Sequence, residues 1–264
     1  MKKEMYDELY RTEQVHFFSC AKREITEALL VAYVLAPRKS TAPPPPPPPR
    51  ILDVGCGCGL MLQALKKYGI PTGMDYSEVA IDYCKKIFDG ELIQGDLNQP
   101  IKFESSYDAI LALDVLEHLK DDVQGIRNIS DALAPGGCAI IAVPAHPILW
   151  AINDINSMHY RRYTKKTFME LCQKSGLTIR YFSYYNCWLF PPVAIIRLLQ
   201  RLFHYTCAPD EQLESKIPPR LINSLLFKIF SAEKRPLTKG RRLPWGLSLL
   251  AVLEKKPSTV MNPD

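Results

Sequence analysis

The sequence predicts a doubly wound α/β fold on a mostly parallel sheet, and three features predict it. Residues 50–60 read strand, glycine turn, helix, the form of a nucleotide-binding crossover. Apolar strand-length runs then alternate with helical stretches as far as residue 143, which implies parallel strands with helices on both faces. Asp53, Asp75, Asp96 and Asp114 close four successive strands. Ligands of such sheets bind beyond the carboxyl ends of the strands.

Taken in order, residues 1–36 form an expected helical segment. Ile25, Leu29, Leu30, Tyr33 and Val34 make its apolar face, and His16, Phe17 and Phe18 cluster before it. Residues 37–49 follow, with seven consecutive prolines. Seven residues of polyproline II span roughly 22 Å without internal hydrogen bonds, so this reads as a stiff linker. The main domain is expected over 50–264, with an insertion at about 186–244. In it Ile51, Leu52 and Val54 start strand one. Leu60, Met61, Ala64, Leu65 and Tyr68 fall at helical spacing behind the turn. Strands are expected at 70–75, 91–95, 107–113 and 138–143. Ser77 caps a helix through Ile87, another helix runs to about Leu133, and Pro135-Gly136-Gly137 turns the chain into strand five.

The turn narrows the ligand. Gly55, Gly57 and Gly59 alternate with Cys56 and Cys58, and Leu60 stands where a dinucleotide fingerprint needs its third glycine. Asp53 precedes the turn and would repel a pyrophosphate. Asp75 falls twenty residues past Gly55, the distance at which a strand-two carboxylate reaches a ribose's hydroxyls. An acid-rimmed, phosphate-poor site fits S-adenosylmethionine (SAM), which carries an ammonium, a sulfonium and no phosphate. A glycine turn without ligand is the plain alternative. An NAD-dependent oxidoreductase is disfavoured by Leu60 and by the lack of a Tyr-x-x-x-Lys pair after strand five.

Composition sets bounds. The 264 residues, 47% hydrophobic, suffice for one large α/β domain with an insertion and exclude wholesale disorder. Net charge is +5, unevenly placed: residues 197–256 hold 12 Lys and Arg against 5 Asp and Glu. That is a basic C-terminal region, with no nucleic-acid partner expected. The eight cysteines show no zinc spacing. Small buried hydrophobes are the plainer reading, with a reduced, cytoplasmic setting. Neither a signal core nor a run of about 18 apolar residues is present.

Six motifs together resemble the class I SAM-dependent methyltransferases, in particular the small-molecule and lipid enzymes related to ubiquinone biosynthesis. They are Ile51-Leu52-Asp53-Val54-Gly55-Cys56-Gly57-Cys58-Gly59, Gly73-Met74-Asp75-Tyr76-Ser77, Gln94-Gly95-Asp96-Leu97, Tyr107-Asp108-Ala109-Ile110, Asp114-Val115-Leu116-Glu117-His118-Leu119 and Leu133-Ala134-Pro135-Gly136-Gly137. The resemblance implies that Asp53, Gly55, Gly57 and Gly59 hold the methionine end of SAM. Asp75, with Tyr76 beside it, would take the ribose. Asp96 and Leu97 would flank the adenine, and Leu113 and Asp114 the sulfonium. It also implies a seven-stranded sheet whose last strand, near 247–253, is antiparallel and inserted between strands five and six. About 60 residues separate the expected strands six and seven, where the family would need only a hairpin.

The acceptor side is expected in the stretch after strand five, with His146, Trp150, Arg161, Arg162 and Tyr163 as candidate contacts and His159 as candidate base. Arg161 or Arg162 could hold an anionic group bidentately. Alternatively His159 is a loop histidine and the arginines pair with acids such as Asp154. No metal is expected, because His118 has no identifiable ligand partners. Apolar segments at 188–203 and 221–230 beside Lys234, Arg235, Lys239, Arg241 and Arg242 suit either a cap over the site or contact with an anionic membrane. The expected activity is O- or C-methylation of a small, lipid- or glycan-linked acceptor. The rival is a non-catalytic membrane-associated protein that retains the fold.

Overall fold

A computed structural model describes residues 10–38, 46–202 and 216–257. The start of the N-terminal segment, prolines 43–45 and Phe203 lie outside the described residues. Seven strands, β1 (Arg50–Val54), β2 (Ile70–Asp75), β3 (Glu91–Gln94), β4 (Tyr107–Leu113), β5 (Leu133–Pro144), β6 (Thr178–Tyr185) and β7 (Ser248–Glu254), pair in the order β3-β2-β1-β4-β5-β7-β6. Strands β1 to β5 are parallel, and β7 runs antiparallel to both β5 and β6. The expected sheet, with its last strand inserted and reversed, is the one found. The chain moves outward from β1 to β3, then returns to the other side of β1 as β4. That reversal opens a crevice at the carboxyl ends of β1 and β4.

Alternation along each strand feeds two cores. Leu52 and Val54, Ile110 and Ala112, Ile141 and Val143, and Leu249 and Ala251 enter one. Ile51, Leu111, Ile140, Leu250 and Val252 enter the other, as the period-2 geometry of a strand requires. Strand β5 begins earlier than expected. Leu133 pairs with Tyr107, and the register shifts before Cys138 pairs with Ala109. Pro135-Gly136-Gly137 is therefore an irregularity inside the strand. A Cβ on Gly137 would lie 2.9 Å from the carbonyl oxygens of Ala134 and Tyr107, so only glycine lets the strands close there.

Residues 10–15 are helical, and α1 (Phe17–Leu30) follows, continuing through a π-helical turn, Val31–Leu35, to Ala36–Arg38. The helix thus includes Pro37 and Arg38, where the linker was expected to start. Pro37 has no N–H to offer, and the Tyr33 carbonyl accepts instead from Arg180 Nη1 at 3.0 Å. Helices α2 (Leu60–Leu65), α3 (Glu78–Ile87), α4 (Asp122–Ala132), α5 (Ile152–Asn156) and α6 (Lys165–Lys174) complete the crossovers and the loop after β5. The helix expected to run on from β4 is broken. A 3-10 turn, Leu116–His118, comes first, and Asp121 then starts α4 by accepting from Gln124 N–H at 2.9 Å.

The insertion forms α7 (Phe190–Leu202), α8 (Arg220–Ser231) and α9 (Lys234–Thr238). It is tied down on two sides. Phe230, fully buried, stacks on Phe18 of α1 at 5.5 Å and on Tyr185 of β6 at 5.9 Å. Buried Glu233 accepts from the backbone N–H groups of Asn186 (2.7 Å), Cys187 (2.6 Å) and Trp188 (3.1 Å). This holds the turn after β6, where Asn186 sits at φ 58.

Candidate active site

The β1 turn is built by the ladder beside it. Gly55 and Cys56 donate their N–H groups to the Met74 carbonyl at 2.7 and 3.0 Å. Gly55 sits at φ 68, and a Cβ there would meet Val115 at 2.6 Å. Gly57, at φ 53, faces open space, so a ligand can approach its backbone closely. Cys56 and Cys58 are buried and fill the turn, with Cys56 Sγ 3.7 Å from Cys84 Sγ.

Around this turn the acids converge. Asp75 Oδ2 accepts from Gly57 N–H at 3.1 Å, and Oδ1 from Ser77 N–H at 2.9 Å. Burial raises its carboxyl, against the backbone N–H groups of Ser77, Gly57 and Tyr76. Asp53 is buried too, and desolvation pushes it up to about 7, opposed by Lys22 and assisted by Glu13 and Asp75. Tyr76 is 59% exposed. Asp96 is exposed and binds the backbone and side chain of Asn98, while Leu97 lies in the core. Leu113 is half-buried, and Asp114 follows it at φ 59.

Lys22 is the site residue that sequence reasoning missed. Its Nζ lies 2.8 Å from Asp114 Oδ2, 92 residues away in the chain. Burial alone would lower its ammonium, but Asp114, Glu13 and Glu117 outweigh that and the net shift is upward. Nothing local marks Lys22, because its partners come from other elements. Asp53, Asp75, Asp114, Glu13 and Glu117 set against the one ammonium of Lys22 make this place acidic. Its open glycine backbone and acidic rim fit SAM, a cationic ligand without phosphate.

The loop after β5 gathers a second cluster around Asp154, which is fully buried. Asp154 accepts from Ala151 N–H (2.9 Å), Arg162 Nε (2.7 Å) and His159 Nδ1 (2.9 Å), with Arg197 of α7 at 3.6 Å. Arg162 also donates to the Ala145 carbonyl at 3.1 Å. Arg161 pairs with Asp122 at 2.9 Å and donates to the carbonyls of Leu119 and Lys120. The Tyr163 hydroxyl donates to Asp122 at 2.9 Å. His146, at φ 60, stacks on Tyr184 and takes the Gly246 carbonyl at 3.0 Å. Trp150 is half-buried.

His159 lies against His118, with ring centroids 4.6 Å apart and edge to face. Burial, and then His159, push His118 down to about 4. Glu117 is fully buried beside them, and desolvation and Asp114 raise its carboxyl well above the usual range. Thus β4 and the loop after β5 meet beside Asp114, and α1 covers the same place through Lys22.

A doubly wound sheet with a glycine turn and acidic strand ends at its switch point is the architecture of a nucleoside-binding α/β domain. Residues 27–181 match the methyltransferase domain family, and the chain belongs to that family. A ubiquinone biosynthesis O-methyltransferase from Coxiella burnetii is 37% identical over 93 residues, 33% of this chain and 40% of that protein. The match thus spans well under half of that relative's length. A putative sarcosine dimethylglycine methyltransferase from Galdieria sulphuraria shares the fold with a TM-score of 0.56 at 15% identity, covering 90% of this chain and 86% of that one. The N-methyltransferase NodS from Bradyrhizobium japonicum, solved with S-adenosyl-L-homocysteine, does so at 0.50 and 14%, covering 90% and 87%.

Proposed function

We propose that this chain transfers a methyl group from SAM to an oxygen or carbon of a small, lipid- or glycan-linked acceptor. Residues 50–264, with the insertion at about 186–244, would be the catalytic domain. The observation that carries the reading is the ring of strand-end carboxylates around an open glycine backbone. Asp53 faces the ammonium of SAM, Asp75 the ribose hydroxyls, Asp96 the adenine amine and Asp114 the sulfonium side. In the transfer an acceptor lone pair attacks the methyl carbon in line. The sulfur–methyl bond breaks, and its electron pair stays on sulfur as a neutral thioether. Because the donor is already activated, alignment and exclusion of water supply most of the rate.

An acceptor hydroxyl must also lose its proton. Asp154 fixes His159 as an Nδ1–H donor and leaves the Nε2 lone pair to receive it. Expected for His159→Ala is calorimetric SAM affinity within about twofold of wild type, with methyl incorporation from labelled SAM into extract metabolites down by about 10²–10⁴. Undiminished incorporation removes His159 from this role.

Exposed apolar side chains on the insertion favour a membrane-borne acceptor. Leu221 (86% exposed), Leu225, Ile195 and Leu199 stand out from α7 and α8. Nearby, a cavity of about 540 Å³ is lined by Trp188, Arg235, Lys239, Arg241 and Arg242. Among the described residues none of these four cations is in an ion pair. No described helix is long and apolar enough to cross a membrane, so contact would be interfacial. Sedimentation with phosphatidylserine vesicles should exceed that with neutral vesicles and fall with salt. Equal sedimentation with both argues against the basic rim as an anchor.

A further inference from the structure

Glu117 has no part in the transfer described above, yet it is fully buried, and among the described residues neither carboxyl oxygen has a hydrogen-bond partner. Such a group calls for a partner that the described residues do not supply. Two imidazoles stand next to it. One ligand atom each from Glu117, His118 and His159 lie within 4.8 Å of one another. His159 Nδ1 is held by Asp154, which Arg162 fixes in turn, so a bound cation would use Nε2. Carboxylate–histidine support of this kind accompanies metal-bound imidazoles.

We propose that Glu117, His118 and His159 form a mononuclear site for a divalent transition cation. Two nitrogens and one carboxylate, with positions left open, suit zinc, cobalt, manganese or iron rather than magnesium. Donors about one zinc stand roughly 3.3 Å apart, so the cluster closes by at most about 1.5 Å on binding. The sequence hides the site. Glu117 and His118 are adjacent, but His159 arrives from the loop after β5. Binding stands independently of the methyl-transfer reading, whereas its use rests on that reading. The cation would lie beside Asp114 and hold an anionic oxygen of the acceptor. With the cation bound, His159 Nε2 would be its ligand in place of the proton-accepting role given above, and the acceptor's proton would leave to solvent.

The test is a cobalt titration of the untagged, chelator-stripped full chain, followed by visible absorption. Expected are saturating d–d bands at one cobalt per chain, without the near-ultraviolet sulfur-to-cobalt band that bound cysteines would give. His118→Ala, His159→Ala and Glu117→Gln should each weaken binding at least about tenfold. Thermal melting checks that each variant folds. Should a histidine variant unfold, the near-isosteric Glu117→Gln carries the test. No saturating d–d absorption in wild type, affinity unchanged in the folded variants, or a sulfur band in place of the d–d bands would overturn the site. SAM calorimetry on the same samples separates the two readings. Cobalt bound without SAM binding sinks the methyl-donor reading alone, and SAM bound without cobalt sinks the metal site alone.

Discussion

Asp75→Ala is expected to weaken SAM binding about a hundredfold while the chain stays folded. A carboxylate accepting from both ribose hydroxyls makes two charge-assisted hydrogen bonds, each worth about 1.5–3 kcal/mol. After its own desolvation, about 3 kcal/mol of differential binding remains, or about two decades in Kd. The same side chain holds Gly57 N–H and Ser77 N–H, so its loss also loosens the turn that the ligand approaches. Folding should suffer less. Burial already raises this carboxyl, so removing it relieves a desolvation cost, and unfolding free energy should fall by no more than about 2 kcal/mol. Asp75→Asn keeps one acceptor and should fall between, near tenfold. Calorimetry with SAM and a urea melt settle both halves. Affinity within a few-fold of wild type in Asp75→Ala would remove Asp75 from the donor site.

Why the donor half was legible and the acceptor half less so follows from chain distance. Asp53, the glycines and Asp75 lie on one strand–turn–helix–strand unit, so spacing alone places them. The parallel sheet followed from the alternation of strands and helices, and the inserted, reversed last strand from the resemblance alone. The other residues act across long separations. Lys22 meets Asp114 from a helix that precedes the sheet. Arg197 reaches Asp154 from the insertion, and Glu233 caps the turn after β6 from 45 to 47 residues away. Each reads locally as an ordinary helix-face charge. His118 showed no ligand partner because its neighbours in space, apart from Glu117, belong to a loop some 40 residues on. The early start of β5 at Leu133 was missed for a different reason. Pro-Gly-Gly is a turn signal, and here strand pairing resumes on both sides of it.

The loop that carries His159 depends on one carboxylate, and Asp154→Ala should cost about 3–5 kcal/mol of stability, as breaking a buried ion pair does. Its removal takes the Asp154 carboxylate away from the buried Arg162 and Arg197. It also frees the Ala151 N–H and lets the His159 ring turn. The pH dependence carries the same signature. Burial alone would raise Asp154, but His159, Arg162 and the Ala151 N–H hold it down to about 2, below its ordinary 3.8. A folded value below the unfolded one means stability that is complete above the unfolded value and lost as pH falls through the folded one. The window is therefore about pH 4 to 2. The depression corresponds to about 2 kcal/mol, since one unit is about 1.4 kcal/mol. Urea melts of wild type and Asp154→Ala should thus differ by about 3–5 kcal/mol at pH 7. The gap should begin to narrow below about pH 4. A difference under about 1 kcal/mol at pH 7, or one that stays constant into acid, would show that the arginines find other partners and that Asp154 does not organise the loop.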